Sequence, residues 1–370
     1  MVDTAQSKRR CCSDEQHCGF SWQNPSRGWR VTRMRRTTTF MTDVSPAPRV
    51  GARPLPARGV LVPLVTPLNP DGSVDLDSLT SLIDFTTGSG VDGVLVLGSS
   101  GEWLWLAAAE RMKVAARATA YASSLTHVML GVPHQGTADS ADAAAKLGAL
   151  DPGSLLVSAP AGDRPSPAEL VRHYEQIAVR VDVPLIAYEV PSRVGTLLGP
   201  DLIRRLAEAG TIAGVKDSSG DIVGGRMISQ ATRHLPGFVS YTGCEQCIDA
   251  SMLGGFSGAI PGLANVFPEF HVALMGRAAV GDWSGAAEIQ NGIIGLMDLY
   301  FHPLPGASFS AQFFAVVKEA LVQRGIIAHA TTSRPLTQSD DGIRSHAAAL
   351  LERGAELRER ILPLRLTPQP

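Results

Sequence analysis

Long apolar runs and metal-binding motifs are both missing from this chain of 370 residues. No stretch approaches the roughly 20 apolar residues that a transmembrane helix needs, so the sequence predicts no membrane partner. There is no H-E-x-x-H motif, no acidic ion-binding loop and no cluster among the nine histidines. These absences favour chemistry that needs no metal ion.

Charge of one sign is also scarce. The chain has 33 Lys and Arg against 35 Asp and Glu, for a net charge of −2. The first 40 residues carry a net +5 and the remainder −7, so the body of the chain is mildly acidic. This gives no reason to expect a nucleic-acid partner, because nucleic-acid-binding domains present clustered positive charge.

Cysteine is rare, with five residues. Cys11, Cys12 and Cys18 lie near the N-terminus, and Cys244 and Cys247 form a C-x-x-C pair. A single C-x-x-C is a weak zinc or redox signal, and we interpret it as two reduced cysteines near a strand end. Nothing indicates an oxidising compartment, so a cytoplasmic protein is expected.

Residues 1–58 lack both apolar periodicity and the apolar core of about 7–15 residues that a secretory signal requires. They are basic and contain Ser and Thr, which is faintly typical of a transit peptide. We interpret them as a disordered basic leader, or as sequence upstream of a true start near Met41.

From residue 59 onward, short apolar runs alternate with helical spacing. Eight runs predict strands: Val60–Thr66, Gly93–Leu97, His127–Val132, Ser154–Ser158, Pro184–Tyr188, Thr211–Lys216, Phe238–Thr242 and Gly255–Ile260. Pro167 fits the first turn of a helix, and Gly210 follows a predicted helix end. The alternation predicts an α/β fold, a (β/α)₈ TIM barrel, with a doubly wound sheet as the runner-up.

Two further patterns fix the predicted organisation. Residues 88–93 match G-x-G-x-x-G, but they precede a strand, whereas the dinucleotide fingerprint follows one; we interpret them as a helix-to-strand turn. Residues 265–362 carry only helical patterns. The prediction is therefore a leader at 1–58, a barrel at 59–264, a C-terminal helical extension at 265–362 and a tail at 363–370.

Lys216 ends the apolar run that starts at Thr211, and turn-forming residues follow at once. Barrel enzymes carry their chemistry at the C-terminal ends of strands. An ammonium that loses hydration there has a lower pKa and is a better nucleophile. Lys216 is therefore a candidate Schiff-base former, although a surface lysine that ends a strand would have the same local pattern.

Other strand ends also carry polar residues. Tyr188 could move the protons that Schiff-base chemistry needs. Ser99 and Ser100 lie between glycines and offer hydroxyl and backbone N–H donors to a carboxylate. Arg193 could hold a second carboxylate or a polar tail. No cofactor is required, because a protonated imine is itself the electron sink.

Together these strand ends resemble the dihydrodipicolinate synthase / N-acetylneuraminate lyase family of class I aldolases. The similarity runs from about Gly59 to Asn265, and is looser in the C-terminal helices. It rests on Leu64–Leu68, on G-S-S-G-E at 98–102, on Tyr188 with Pro191–Arg193 and Gly195, on Gly214–Gly220, and on Gly254-Gly255 with Ala264-Asn265.

The resemblance implies a role for each residue. Lys216 would form the imine with pyruvate or another 2-oxo acid. Tyr188 would donate and accept protons, with Ser99 in the proton relay. Ser100 and the backbone of Ile260 would hold the 2-oxo acid carboxylate. The resemblance also implies a homotetramer, built as a dimer of dimers.

Some positions depart from the family pattern. Gly162 stands where a relay tyrosine usually reaches across the dimer interface. Glu189 replaces the usual asparagine after Tyr188, and we expect it near the substrate, where it could act as an extra base. Trp103 and Trp105 could line an apolar pocket, although packing at the start of a helix is the simpler interpretation for at least one.

Two weaker expectations concern the loops. Glu102 is expected to open the next helix near its positive N-terminus, and His134, after the third strand, could reach the substrate.

The sequence thus predicts a Schiff-base lyase or aldolase that acts on a 2-oxo acid and an aldehyde, cleaving or forming a carbon–carbon bond. Three alternatives stay open: a dehydratase of a sugar-derived 2-oxo acid, a 4-hydroxy-tetrahydrodipicolinate synthase, and a catalytically silent homologue that only binds a 2-oxo acid.

Overall fold

Eight parallel strands close into a barrel in the computed structural model, which describes residues 55–133, 136–300 and 306–361. Each strand pairs with the next along the chain, and the last pairs back with the first. The strands are β1 (Gly59–Pro63), β2 (Gly93–Val96), β3 (His127–Gly131), β4 (Ser154–Ser158), β5 (Leu185–Glu189), β6 (Gly214–Asp217), β7 (Val239–Thr242) and β8 (Gly258–Ala259). This closure confirms the predicted TIM barrel over the doubly wound alternative.

Helices follow the strands and surround them. The first eight are α1 (Leu76–Gly88), α2 (Ala108–Ala122), α3 (Thr137–Gly148), α4 (Pro167–Ala178), α5 (Pro191–Val194), α6 (Gly199–Glu208), α7 (Ile222–Thr232) and α8 (Ile248–Leu253). All strand residues are buried, because side chains fill the barrel and helices cover its outer face. None of the helices within the described ranges is long and apolar enough to cross a membrane.

Local signals in the sequence explain several helix bounds. Ser166 caps α4 by accepting a hydrogen bond from the Glu169 N–H, and Pro167 occupies the first turn. Gly210 follows α6 with φ of 68°, a left-handed conformation that favours glycine. Gly88 ends α1 and Gly93 begins β2, so the G-x-G-x-x-G pattern is a helix-to-strand turn, as predicted.

The helix α9 (Pro268–Ala279) follows β8 and packs against β1, so it completes the ring of barrel helices. The C-terminal extension consists of α10 (Trp283–Tyr300), α11 (Phe309–Gln323) and α12 (Asp341–Ile361). The residues of α11 from Ala311 to Leu321 are all buried. A helix buried on every face belongs to the interior of a protein, so α11 is part of the core and is not a peripheral addition.

Candidate active site

A cavity of about 180 Å³ opens at the C-terminal ends of the strands. It brings together six of the seven residues that the sequence predicted for the site. These six are Ser99, Ser100, Tyr188, Arg193, Lys216 and Ile260. Predicted residue His134 lies outside the described residues, and the seventh site residue, Glu189, lies elsewhere.

Lys216 lies in β6, in register with Tyr188 of β5 on one side and Tyr241 of β7 on the other. Its side chain is only 5% exposed, and its ammonium lies 4.7 Å from the centre of the Tyr188 ring. Gly243 makes room for it, because a Cβ there would lie 3.2 Å from Lys216 Cε and 2.0 Å from Ser218 Oγ. The closed barrel therefore fixes the amine beside the phenol.

The phenol of Tyr188 is buried, and burial raises its pKa. The positive charge of Lys216, the neighbouring hydroxyls of Ser99 and Ser218, and the charge of Arg193 act in the opposite direction. Their combined effect is larger, so the pKa of Tyr188 lies below its usual value of 10.0. Tyr188 is therefore a better proton donor than an ordinary tyrosine.

The Ser99–Ser100 turn is held from both sides. The Thr66 hydroxyl donates to the Gly101 carbonyl at 2.7 Å. Next in the chain, Glu102 has φ of 56° and forms a fully buried ion pair with Lys318 of α11. The Ser333 N–H also donates to its carboxylate at 2.7 Å.

The position of Glu102 corrects a prediction. We expected this side chain at the N-terminus of the next helix, but α2 begins six residues later, at Ala108. Glu102 has a left-handed backbone, and its carboxylate pairs with Lys318 of α11. Glu102 thus connects the serine turn to the C-terminal helices.

Glu189 also requires a correction. It follows Tyr188 in β5, and successive side chains of a strand point to opposite faces, so its carboxylate lies outside the barrel interior. There it accepts hydrogen bonds from the N–H groups of Leu198 and Gly199 at 2.9 and 3.0 Å. Burial raises the pKa of Glu189 to about 7, although the two hydrogen bonds act to lower it. Glu189 therefore anchors the start of α6 and does not contact the cavity.

Ile260 lines the cavity, but its backbone cannot act as predicted. The Ile260 N–H donates to the Thr242 carbonyl at 2.8 Å, as part of the contact between β7 and β8. A donor already bonded within the barrel is not available to a substrate carboxylate. The Ser99–Ser100 turn remains as the predicted source of hydrogen-bond donors for the substrate carboxylate.

Sequence reasoning missed four polar residues of the cavity: Ser218, Glu245, Gln246 and Ser310. Ser218 lies two residues after Lys216, so strand alternation could have placed it on the same face. The Glu245 carboxylate accepts from the N–H groups of Gly262 and Leu263 at 3.1 and 2.7 Å. It also lies 3.2 Å from Nε2 of His271. Its role is to connect the loops that follow β7 and β8.

An apolar wall completes the cavity. It consists of Met297 from α10 and Phe309, Phe313 and Phe314 from α11. Arg193 donates to the Ser310 hydroxyl of the same helix at 3.0 Å. The C-terminal helices thus form one side of the site, which the weak similarity of that region did not reveal.

The two tryptophans do not line the cavity. Trp103 is 8% exposed and packs in the core, whereas Trp105 is 41% exposed. The packing interpretation is therefore confirmed for Trp103. Gly162 is exposed with φ of 90°, and a Cβ there would meet no atom within 4 Å. No three His, Cys, Asp or Glu side chains of the described residues group closely enough to hold a metal ion.

A buried lysine beside a tyrosine at the C-terminal mouth of a parallel barrel defines a class of enzymes that react with carbonyl substrates through an amine. The chain belongs to the dihydrodipicolinate synthetase family, whose model matches residues 56–353. This confirms the resemblance inferred from the motifs. As a member of this family, the chain is a lyase of the class I aldolase type.

Relatives and solved structures agree with this assignment. The 4-hydroxy-tetrahydrodipicolinate synthase of Laribacter hongkongensis is 33% identical over 297 residues, which cover 80% of this chain and 97% of that protein. A prophage protein of the dihydrodipicolinic acid synthase family from Escherichia coli, solved with pyruvate, aligns with a TM-score of 0.74 and 26% identity over 80% of this chain and 98% of its own. A sialic acid aldolase from Ruminococcus gnavus shares the fold, with a TM-score of 0.76 and 19% identity over 82% and 98% of the two chains.

Proposed function

We propose that this chain is a Schiff-base lyase that uses Lys216 to capture pyruvate or another 2-oxo acid. The observation that carries the proposal is the position of Lys216. The amine is nearly buried, lies 4.7 Å from the Tyr188 ring centre and shares a cavity with the Ser99–Ser100 turn. The pyruvate bound to the Escherichia coli relative supports the same substrate class.

The reaction follows from this geometry. The neutral Lys216 amine attacks the ketone carbon of the 2-oxo acid, and Tyr188 supplies the proton with which the carbinolamine loses water. Removal of a proton from the adjacent carbon gives an enamine. The enamine then attacks an aldehyde to form a carbon–carbon bond, and the reverse sequence cleaves that bond.

The carboxylate of the 2-oxo acid needs donors next to Lys216. We assign it to the hydroxyl of Ser100 and the backbone N–H groups of the serine turn, without Ile260. Ser99 has a different task. Its hydroxyl lies close enough to Tyr188 to lower the pKa of the phenol, so Ser99 can pass a proton to or from it.

Borohydride trapping tests the proposal. The protein is incubated with pyruvate and sodium borohydride, digested with trypsin and analysed by mass spectrometry. We expect an adduct on Lys216, together with loss of tryptic cleavage after that residue. A Lys216→Ala variant, shown to be folded by circular dichroism, is the control. Absence of an adduct with every 2-oxo acid tried, in folded protein, would sink the proposal.

The second substrate is proposed to be an aldehyde with an apolar body. The support is the wall of Met297, Phe309, Phe313 and Phe314, of which Phe309 is 55% exposed. Phe309→Ala should raise KM for benzaldehyde more than for glyceraldehyde, because only the aromatic aldehyde loses apolar contact. Equal changes for both aldehydes would reject this assignment.

Product analysis separates the remaining alternatives. A dehydratase would release water and keep the carbon skeleton intact, whereas an aldolase would release pyruvate. A 4-hydroxy-tetrahydrodipicolinate synthase is less favoured, because Gly162 supplies no relay phenol. A silent binding protein would be stabilised by 2-oxo acids in a thermal shift without turning any of them over.

We further propose a cytoplasmic homotetramer, a dimer of dimers, on the strength of the family resemblance. Light scattering coupled to gel filtration tests the assembly. A monomer would contradict it, and one structural neighbour is described as a monomeric variant of a dihydrodipicolinate synthase.

A further inference from the structure

The C-x-x-C segment after β7 contacts two different cavities. Cys244 and Cys247 line a small cavity of about 40 Å³ at the outer face of the barrel, between α7 and α8. The two residues between them, Glu245 and Gln246, line the active-site cavity. The cysteines are therefore directly bonded in the chain to residues of the active-site cavity.

The turn between the two cysteines is compatible with a disulfide. Residues Glu245–Cys247 form a single 3₁₀ turn, and the Cys247 N–H donates to the Cys244 carbonyl at 3.4 Å. Such a turn holds its first and last Cα atoms within about 7 Å, which overlaps the range of disulfides. The interaction between the neighbouring thiols lowers the pKa of Cys244 and raises that of Cys247. This is the asymmetry of a reactive C-x-x-C pair.

The contacts of this turn lead to the substrate-binding loops. The Cys244 thiol donates to the Gln246 side chain at 3.6 Å, and the Cys247 thiol donates to the Cys244 carbonyl at 3.7 Å. Glu245 holds the N–H groups of Gly262 and Leu263, just after Ile260. A disulfide would end both thiol contacts, which lie on either side of Glu245 in the chain.

We propose that Cys244 and Cys247 are a reversible thiol–disulfide modification site, and that oxidation loosens the loop after β8 and weakens 2-oxo acid binding. The second half of this statement rests on the proposed function. The first half depends only on the geometry of the two cysteines.

The oxidation needs a small-molecule disulfide such as oxidised glutathione. The Cys244 thiolate attacks one sulfur of the oxidant, the S–S bond of the oxidant breaks, and the first thiol leaves. The Cys247 thiol then loses its proton and attacks the Cys244 sulfur, which releases the second thiol. Two cysteines lose two electrons in total, and the oxidant gains them as two thiols.

The full-length protein is treated with oxidised or reduced glutathione, alkylated with iodoacetamide and digested with trypsin. Residues 234–277 form one tryptic peptide that contains no other cysteine. After oxidation we expect this peptide to be unalkylated and lighter by two hydrogen atoms than the same peptide with two free thiols. A Cys247→Ser variant should give only a mixed disulfide with glutathione on Cys244. A peptide that remains alkylated at both cysteines would overturn the proposal.

Coupling to the active site is measured in two ways. Hydrogen exchange of residues 258–265 should be faster in the oxidised protein, and unchanged by reduced glutathione. The pyruvate concentration that half-saturates borohydride trapping should rise about threefold or more, equivalent to roughly 0.6 kcal/mol or more. Equal exchange in the two forms would refute the coupling. If the reduced protein traps no pyruvate, the proposed function fails. The peptide mass and the hydrogen exchange would still show whether the disulfide forms and whether it loosens the loop after β8.

Discussion

At the scale of single residues, the proton chemistry of the site depends on the surroundings of Tyr188. The pKa of its phenol is lowered although it is buried, because Lys216, Ser99, Ser218 and Arg193 together outweigh the effect of burial. A tyrosine that must donate a proton is inactive once ionised. Activity is therefore expected to decline as the pH rises through this pKa. Because the pKa lies below the ordinary tyrosine value of 10.0, the decline should begin at a lower pH than for an ordinary tyrosine.

A Ser218→Ala substitution tests this account. Loss of the Ser218 hydroxyl removes one interaction that lowers the pKa of Tyr188, so the alkaline limb of kcat/KM should move to higher pH. The measurement is kcat/KM against pH for the wild type, for Ser218→Ala and for Ser81→Ala, an exposed serine of α1. A limb that stays in place, or moves to lower pH, would contradict the role assigned to Ser218.

Glu189 makes a separate prediction about stability. Its pKa rises from 4.5 to about 7 in the folded protein. Between these values the native state holds a proton that the unfolded state releases, so the free energy of unfolding falls as the pH rises. In Glu189→Gln this contribution is absent, and the difference in stability between about pH 5 and pH 8 should shrink.

Urea unfolding of Glu189→Gln at the two pH values measures this difference. Glu175→Gln, at an exposed position of α4, is the matched control and should behave as the wild type does. An unchanged difference in Glu189→Gln would mean that another group is responsible.

The same residues show which parts of the site could be predicted from the sequence. Lys216, Tyr188 and the serine pair could be predicted because each stands at a strand end, where barrel enzymes place their chemistry. Glu189 was misassigned to the site because it is next to Tyr188 in the sequence. Strand alternation places the side chains of neighbouring residues on opposite faces of the strand. Ile260 was misassigned because a sequence does not show that its N–H is already bonded to Thr242.

At the scale of elements, the ion pair of Glu102 and Lys318 connects the serine turn to α11, and both side chains are fully buried. Lys318→Met would leave the Glu102 carboxylate buried without its partner. Removal of one partner of a buried pair costs about 3–5 kcal/mol. We expect a loss of stability of this size and a higher KM for the 2-oxo acid, because the turn that binds its carboxylate is no longer held.

The double variant Glu102→Gln with Lys318→Met shows whether the loss of stability comes from the unpaired charge of Glu102 or from lost packing of the Lys318 side chain. It should recover part of the stability, since no buried charge then remains. Lys113→Met is the matched control, because Lys113 pairs with Glu110 at the surface with its side chain 56% exposed. Loss of an exposed pair costs about 1 kcal/mol at most. A double variant no more stable than Lys318→Met would argue against the explanation.

Element bounds were predicted best where apolar runs end abruptly. β4 begins and ends at the predicted residues, Ser154 and Ser158. β8 is shorter than the predicted run, covering only Gly258–Ala259, although Ser257 and Ile260 on either side still donate backbone hydrogen bonds to β7. The buried position of α11 could not be predicted, since its contact with Glu102 joins residues more than 200 positions apart.

At the scale of the whole molecule, the barrel and the C-terminal helices share one core. The helix α11 supplies buried side chains, the partner of Glu102 and part of the cavity wall. Two-state unfolding requires that all probes report the same transition. We therefore expect one transition for both parts, although the sequence divides them near residue 265.

Tryptophan fluorescence can follow each part separately. Trp103 lies in the barrel and Trp283 begins α10. Two variants, each keeping one of these residues as its only tryptophan, should unfold at the same urea concentration, and the loss of helical circular dichroism should coincide with both. If the C-terminal helices were a separable appendix, the Trp283 signal would change first while Trp103 stayed native. In that case Lys318→Met should affect the Trp283 transition alone, whereas a shared core requires it to shift both transitions equally.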